Sequence, residues 1–233
     1  HPSVPPFLSR LLIQRFTSSN PSAAYLARVS RVWVDDSTGE SADLGEVIKA
    51  ILLDPEVLSG GDRHQFHGKV REPIIRYASL ARAFNLVSES GKYSTNQPLL
   101  NDVFGQFPML SPSVFNFYLP DFSPEGEFRE AGMFSPELQL ASLSQMLRSD
   151  SRFAASVEES GVSGRFDFTR ELALVSEPSA LVSRVDLLMT GGRLKAETKL
   201  AILNAVQSEL TDLEKVRTAI YLVSQSMECI VLN

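Results

Sequence analysis

The stretch F-G-Q-F-P-M-L-S-P-S-V-F-N-F-Y-L-P-D-F-S-P-E-G-E-F-R-E-A-G-M-F-S-P-E-L-Q at residues 104–139 is rich in Pro, Gly and Phe. Each aromatic ring that packs buries about 150–250 Å², so these rings cannot all stay exposed on a folded protein. The prolines exclude a continuous helix, because each one removes a backbone donor. We therefore predict an ordered, irregular segment that packs over helices. Its aromatic cluster comprises Phe104, Phe107, Phe115, Phe117, Tyr118, Phe122 and Phe134.

Helical spacing of apolar residues is present on both sides of this stretch, with few alternating runs typical of strands. We predict an all-α fold, an irregular multi-helix domain with the Pro/Phe-rich segment packed over its helices. Residues 1–233 form one helical domain in this interpretation, with sub-groups 1–103 and 135–233 joined by the segment 104–134. The predicted helices cover residues 7–16, 25–33, 44–52 (capped by Asp43), 74–84, 135–146, 178–189, 195–210 and 212–232.

The composition is that of an ordinary globular protein, with 43% hydrophobic and 21% charged residues. A formal net charge of −6 without any cluster of Lys and Arg argues against a nucleic-acid-binding surface. No apolar run approaches the ~20 residues that a membrane-spanning helix needs. Cys229 is the only cysteine, which excludes an internal disulfide and any multi-cysteine metal site. We predict that Cys229 is a buried apolar side chain.

Charged residues just before Pro73 are the first candidate site. Lys69 and Arg71 could be presented to an anionic partner, with Glu72 orienting Arg71. Alternatively, Arg71 and Glu72 tie the start of the following helix to the segment 104–139. We favour this structural interpretation.

Polar residues of the aromatic-rich segment are the second candidate site. Asn116 is expected to bond main-chain groups in a backbone that lacks helical hydrogen bonds. Alternatively, Asn116, Asp121, Glu137 and Gln139 line a pocket, in which Asp121 and Glu137 could form a carboxylate pair for acid–base chemistry.

We expect no cofactor, although calcium is possible through Asp35, Asp36 and Glu46 of an acidic loop. In an EF-hand that begins at Asp35, Glu46 takes the twelfth position but Gly39 comes one residue early for the turn. A connection between two helices is the favoured interpretation. His64 and His67 form an H-x-x-H pair in a Gly-rich loop, and we interpret them as exposed loop residues rather than zinc ligands.

Several runs of the sequence together resemble the bacterial domain-of-unknown-function 1800 family. They are H-P-S-V-P-P-F-L at 1–8, L-I-Q-R-F at 12–16, A-I-L-L-D-P-E at 50–56, G-K-V-R-E-P at 68–73, S-P-S-V-F-N-F-Y-L-P-D-F at 111–122, S-P-E-L-Q-L at 135–140 and V-S-R-V-D-L-L-M at 182–189. The order and spacing of the set make the resemblance specific. Departures are the extended region 149–168 and the ending M-E-C-I-V-L-N.

The resemblance implies a helical protein that frequently carries an export signal and is often found with a second exported family. It implies no catalytic residues, and it leads us to expect that this chain is the C-terminal part of a larger protein. The leading hypothesis is an exported structural or protein-interaction module of a bacterial surface or secreted assembly, located in the periplasm, at the cell surface or outside the cell. Its partner would be its own N-terminal region or another protein chain.

Two alternatives remain open. The first is a hydrolase-type enzyme with a site near Arg71, Asp121 and Glu137. The second is a calcium-supported module of the adhesion type, which would use the loop 35–46.

Overall fold

Helices dominate the computed structural model, which describes residues 1–35, 42–59, 67–88, 91, 103–114, 116–140, 145, 148–151 and 164–232. The described part contains eleven α-helices, one short 3-10 helix and a two-stranded sheet. The all-α prediction is confirmed. None of these helices is long and apolar enough to cross a membrane.

The aromatic-rich segment is largely irregular, whereas helices and strands form much of the rest of the described chain. The helices and strands are α1 (Val4–Phe16), α2 (Ala23–Val34), α3 (Leu44–Leu52), α4 (Pro55–Leu58), β1 (Lys69–Val70), α5 (Pro73–Ala83), α6 (Glu127–Glu130), the 3-10 helix η1 (Pro136–Gln139), α7 (Thr169–Leu172), α8 (Pro178–Thr190), α9 (Ala196–Ser208), α10 (Asp212–Gln225), α11 (Met227–Ile230) and β2 (Val231–Leu232).

The chain divides into two compact units. Unit 1 comprises His1–Val70, Tyr118–Gln139 and Leu232–Asn233, and unit 2 comprises Arg71–Phe117 and Leu140–Val231. These boundaries differ from those of the sub-groups 1–103 and 135–233, because the chain enters unit 2 at Arg71 and the aromatic-rich segment changes unit after Phe117. That the whole chain forms a single domain stays a prediction.

Unit 1 is built around the first three helices, which pack on one another. The spacing of four residues between Tyr25 and Val29, and between Val47 and Ile51, places each pair on one helix face. All four side chains and Ile13 are fully buried and form one apolar cluster.

Unit 2 has the larger apolar core, which α5, α8, α9 and α10 supply. Helical spacing again explains the burial: Leu181, Val182 and Val185 lie on one face of α8. The buried members of this core are Leu80, Phe84, Phe104, Phe166, Leu181, Val182, Val185, Met189, Ile202, Val206, Val216, Ala219, Ile220, Val223 and Cys229.

The aromatic-rich segment packs in each unit through a buried ring. In unit 2, Phe104 is buried and its ring centroid lies 5.2 Å from that of Tyr77. In unit 1, Tyr118 is buried and accepts a hydrogen bond from Arg15 at 2.6 Å. Between these two rings, residues 108–114 are exposed. The segment therefore packs at Phe104 and at Tyr118, whereas residues 108–114 between them face solvent.

Two predicted helices differ from the structure. The predicted helix 212–232 stops at Gln225, because Ser226 adopts an extended conformation (φ −68°, ψ 149°) and its hydroxyl caps α11. Val231 and Leu232 then form a strand rather than a final helical turn. The predicted helix 135–146 begins as the 3-10 helix η1. Residues 141–144 and 146–147 of that prediction lie outside the described residues.

The predicted cap of α3 is confirmed and provides a test of local stability. The Asp43 carboxylate accepts hydrogen bonds from the backbone N–H groups of Gly45 at 2.7 Å and Glu46 at 3.3 Å. We expect Asp43→Ala to lower the free energy of unfolding of unit 1 by about 1 kcal/mol, because two helix donors lose their acceptor. Urea unfolding followed by the fluorescence of Trp33, the only tryptophan of the chain, measures this change.

Asp43→Asn is the matched control, because asparagine caps helices about as well as aspartate. An equal loss in both variants would show that the charge of Asp43, rather than its capping hydrogen bonds, stabilises unit 1.

Candidate functional site

A buried ion pair in unit 1 joins two of the predicted site residues. Lys69 Nζ lies 2.8 Å from Glu137 Oε1, and the two residues are 9% and 1% exposed. Lys69 Nζ also donates to the backbone carbonyls of Gln14 at 2.9 Å and Arg15 at 3.0 Å, in the last turn of α1. These carbonyls have no partner within the helix, and a cation is favoured at that helix end. The Lys69 ammonium group thus stabilises the end of α1 and neutralises Glu137.

The other carboxylate oxygen of Glu137 also has a partner. Ser19 Oγ donates to Glu137 Oε2 at 3.4 Å. Gln14 Nε2 lies nearby in the same network and donates to the carbonyls of Ser19 at 3.1 Å and Pro120 at 3.0 Å. Buried charges are tolerated when they are paired and hydrogen-bonded in this way. The network can therefore hold η1 and residue 120 against the end of α1.

Further polar contacts anchor residues 118–139 to the start of unit 1. Asn20 makes two of them with the main chain of Phe134, since its Nδ2 donates to the carbonyl at 2.9 Å and its Oδ1 accepts from the N–H at 2.8 Å. The guanidinium carbon of Arg10 lies 4.6 Å from the centroid of the Phe134 ring. Gln139, a predicted site residue, accepts from the backbone N–H of Leu119 at 2.8 Å. Asp121 is exposed, in contrast to the buried Glu137.

Arg71 and Glu72 belong to unit 2 and have different neighbours. Glu72 is 8% exposed, and its carboxylate accepts a hydrogen bond from Gln106 Nε2 of the aromatic-rich segment. Arg71 donates from its guanidinium to the carbonyl of Met189 at 3.2 Å and from its backbone N–H to that of Ile230 at 2.8 Å. Glu72 thus contacts the segment as the structural interpretation requires, whereas these contacts of Arg71 are with the last turn of α8 and with α11.

Asn116 lies in a tight turn of unit 2. Its φ of 72° is in the left-handed region, which asparagine tolerates better than most residues. Its backbone N–H donates to the carbonyl of Ser113 at 3.1 Å. That the Asn116 side chain bonds main-chain groups stays a prediction.

The calcium and histidine hypotheses fall partly outside the described residues, since Asp36 and His64 belong to the undescribed ranges. Asp35 is exposed, and Glu46 forms an exposed ion pair with Lys49 at 3.2 Å. Within the described residues, no group of three or more His, Cys, Asp or Glu side chains is arranged to hold a metal ion. Calcium binding at this loop stays a prediction.

The family of this chain is identified by its match to a protein-family model. The model described as "Protein of unknown function (DUF1800)" matches residues 1–231. This chain belongs to the DUF1800 family. No curated protein and no solved structure matches it.

Three of the sequence runs that resemble DUF1800 contain residues of these buried polar contacts. L-I-Q-R-F contains Gln14 and Arg15, G-K-V-R-E-P contains Lys69 and Glu72, and S-P-E-L-Q-L contains Glu137. Sequence reasoning singled out the last three residues but missed Gln14 and Arg15, whose carbonyls bind Lys69. Hydrophobic spacing carries no signal for a buried amide, because it treats every polar residue of a helix as solvent-facing.

Cys229 is 3% exposed in the core of unit 2 of this DUF1800 protein, as predicted. Burial raises the pKa of its thiol, although Arg76, Arg71 and Arg193 oppose that shift. The thiolate is the reactive form of cysteine, so both burial and the raised pKa suppress its reactivity.

We expect Cys229 of the native protein to react with iodoacetamide at pH 8 on the order of 100-fold or more slowly than in the urea-unfolded chain, because labelling requires the core to open. Mass spectrometry of timed samples measures both rates without ambiguity, since Cys229 is the only cysteine. Similar rates in the two states would contradict its burial.

Proposed function

We propose that this DUF1800 chain is an exported protein-interaction module of a bacterial surface or secreted assembly, with no chemistry of its own. The observation that carries the proposal is the exposed apolar run P-M-L-S-P-S-V at residues 108–114. In this run Met109 is 98% exposed, Val114 93% and Leu110 53%. Contiguous apolar surface of this kind marks protein interaction sites more often than single exposed apolar residues do.

The local backbone supports a recognition role for this run. Pro108 and Pro112 restrict its conformations, so less entropy is lost when it binds. Met109 adopts a φ of 66°, an uncommon conformation for a residue with a side chain, and Leu110 N–H donates to the carbonyl of Phe107 at 3.1 Å. The turn thus presents the Met109 side chain to solvent.

The environment of Glu137 supports a module more than a hydrolase. Its carboxylate is 1% exposed and bound by Lys69 and Ser19, so a substrate does not reach it in this arrangement. A general base must come within hydrogen-bonding distance of the proton that it removes. The contacts of Lys69 and Glu137 are accounted for by the packing of unit 1.

Family membership supports the proposed location, and the net charge supports the proposed kind of partner. Proteins of the DUF1800 type frequently carry an export signal, which supports a periplasmic, surface or secreted location. The formal net charge of −6 supports a protein rather than a nucleic acid as the partner.

Site-specific photo-crosslinking tests the proposal in the cells that produce the protein. A photoreactive benzophenone amino acid replaces Met109, and adducts formed on irradiation are identified by mass spectrometry. We expect one predominant protein adduct at this position, and we expect Val114→Asp to abolish it by placing a charge in the apolar contact. The control carries the same amino acid at Glu125, which lies at an exposed, polar turn of unit 1.

Equal adducts at positions 109 and 125 would indicate nonspecific capture and contradict the proposal. So would a sample with no adduct at position 109, or an adduct that persists unchanged in the Val114→Asp variant.

A further inference from the structure

A cavity of about 430 Å³ lies in unit 2, apart from the candidate site residues discussed above. This volume is within the range of small-molecule sites, roughly 300–1,000 Å³. Its main lining residues are Val87, Arg165, Phe166, Phe168, Leu172 and Leu213.

One wall of the cavity is a short antiparallel bridge. Val87 and Arg165 exchange backbone hydrogen bonds of 2.9 and 2.8 Å, so their side chains lie on the same face of the bridge. Gly164 permits this close pairing, since a Cβ atom there would lie 2.5 Å from the carbonyl oxygen of Val87. The backbone therefore fixes the place from which the Arg165 side chain extends.

The apolar lining is anchored in the core of unit 2. Phe166 is 8% exposed, and its ring stacks on that of Phe168 with centroids 5.8 Å apart. Phe168 in turn meets Phe84 edge-on at 5.9 Å. Leu172 and Leu213 are each 38% exposed, so both leave apolar surface that a ligand could cover.

The charges that line the cavity are not equivalent. Asp167 Oδ1 accepts from the backbone N–H of Thr169 at 3.0 Å and from its hydroxyl at 2.6 Å. These hydrogen bonds lower the pKa of Asp167, whose carboxylate thus stays ionised and engaged with its own loop. No carboxylate of the described residues forms an ion pair with Arg165, whose side chain is exposed. The cavity therefore offers an available cation beside apolar surface.

We propose that this cavity binds a small apolar carboxylate. The guanidinium of Arg165 holds the ligand carboxylate through charge-assisted, bidentate hydrogen bonds. The hydrocarbon part of the ligand covers Phe168, Leu172 and Leu213, which removes their apolar surface from water. This inference stands independently of the proposed interaction module.

Isothermal titration calorimetry with octanoate and with its uncharged analogue 1-octanol tests the assignment. We expect the wild-type protein to bind octanoate more tightly than octanol. Arg165→Met should weaken octanoate binding roughly 10-fold or more and leave octanol binding unchanged, because only the carboxylate loses its charged partner. Leu213→Asp should weaken the binding of both compounds.

Arg170→Met is the matched control, since Arg170 is an exposed arginine of the same region that does not line the cavity. Circular dichroism verifies that each variant keeps its helical content. Octanoate that gives no heat of binding with wild type would overturn the proposal. Equal affinities for octanoate and octanol, or an equal effect of Arg170→Met and Arg165→Met, would do the same.

Discussion

Replacing Lys69 with methionine is expected to lower the free energy of unfolding of unit 1 by about 3–5 kcal/mol. The Glu137 carboxylate would keep its burial and lose the ammonium group that lies 2.8 Å away. The carbonyls of Gln14 and Arg15 would lose a donor at the same time. Urea unfolding followed by Trp33 fluorescence reports on this unit, because Trp33 packs against its apolar cluster.

A double-mutant cycle distinguishes the loss of the Lys69–Glu137 ion pair from the cost of burying an unpaired Glu137 carboxylate. We expect Lys69→Met/Glu137→Leu to recover much of the stability that Lys69→Met loses, because no uncompensated carboxylate remains. Lys49→Met is the matched control: Lys49 pairs with Glu46 at the surface, and exposed pairs contribute about 0–1 kcal/mol. A Lys69→Met variant as stable as the Lys49→Met variant would refute the account of the buried pair.

Truncating Phe104 to alanine is expected to lower the free energy of unfolding of unit 2 by about 3–5 kcal/mol. Phe104 is 1% exposed, belongs to the apolar core and packs beside Tyr77, so its removal leaves a cavity. Alkylation of Cys229 at increasing urea concentrations measures the change, since this thiol becomes reactive when the same core opens.

Met109→Ala is the control in the same segment, because Met109 is 98% exposed. A surface substitution of this kind changes stability by about 0.5 kcal/mol or less. Equal effects of the two substitutions would mean that the aromatic-rich segment does not complete the core of unit 2.

Helices and their starts could be predicted from the sequence because they depend on near neighbours. Asp43 caps α3 through N–H groups two and three residues ahead, which a sequence pattern can represent. The end of α10 could not be predicted in this way. Apolar residues continue past Gln225, and only the extended backbone of Ser226 separates α10 from α11.

The residues of the candidate site could be predicted from the sequence, but which of them contact one another could not. Lys69 and Glu137 were both singled out, but the only neighbour suggested for Glu137, as an alternative, was Asp121. Lys69 is instead the partner that the structure brings to Glu137, whereas Asp121 is exposed. Partners far apart in the chain meet through packing, which local spacing does not encode.

The sequence by itself determined the all-α class, the family, the burial of Cys229 and the cap of α3, because each of these follows from residue type and short-range spacing. Only the tertiary structure determined which side chains of the aromatic-rich segment are buried and which partners they contact. In the structure, Phe104 and Tyr118 are buried, residues 108–114 are exposed, and the buried Glu137 forms an ion pair with Lys69. The physical reason is that an irregular, proline-rich segment has no periodic spacing of apolar residues. Which of its side chains are buried therefore depends only on the surfaces against which the segment packs.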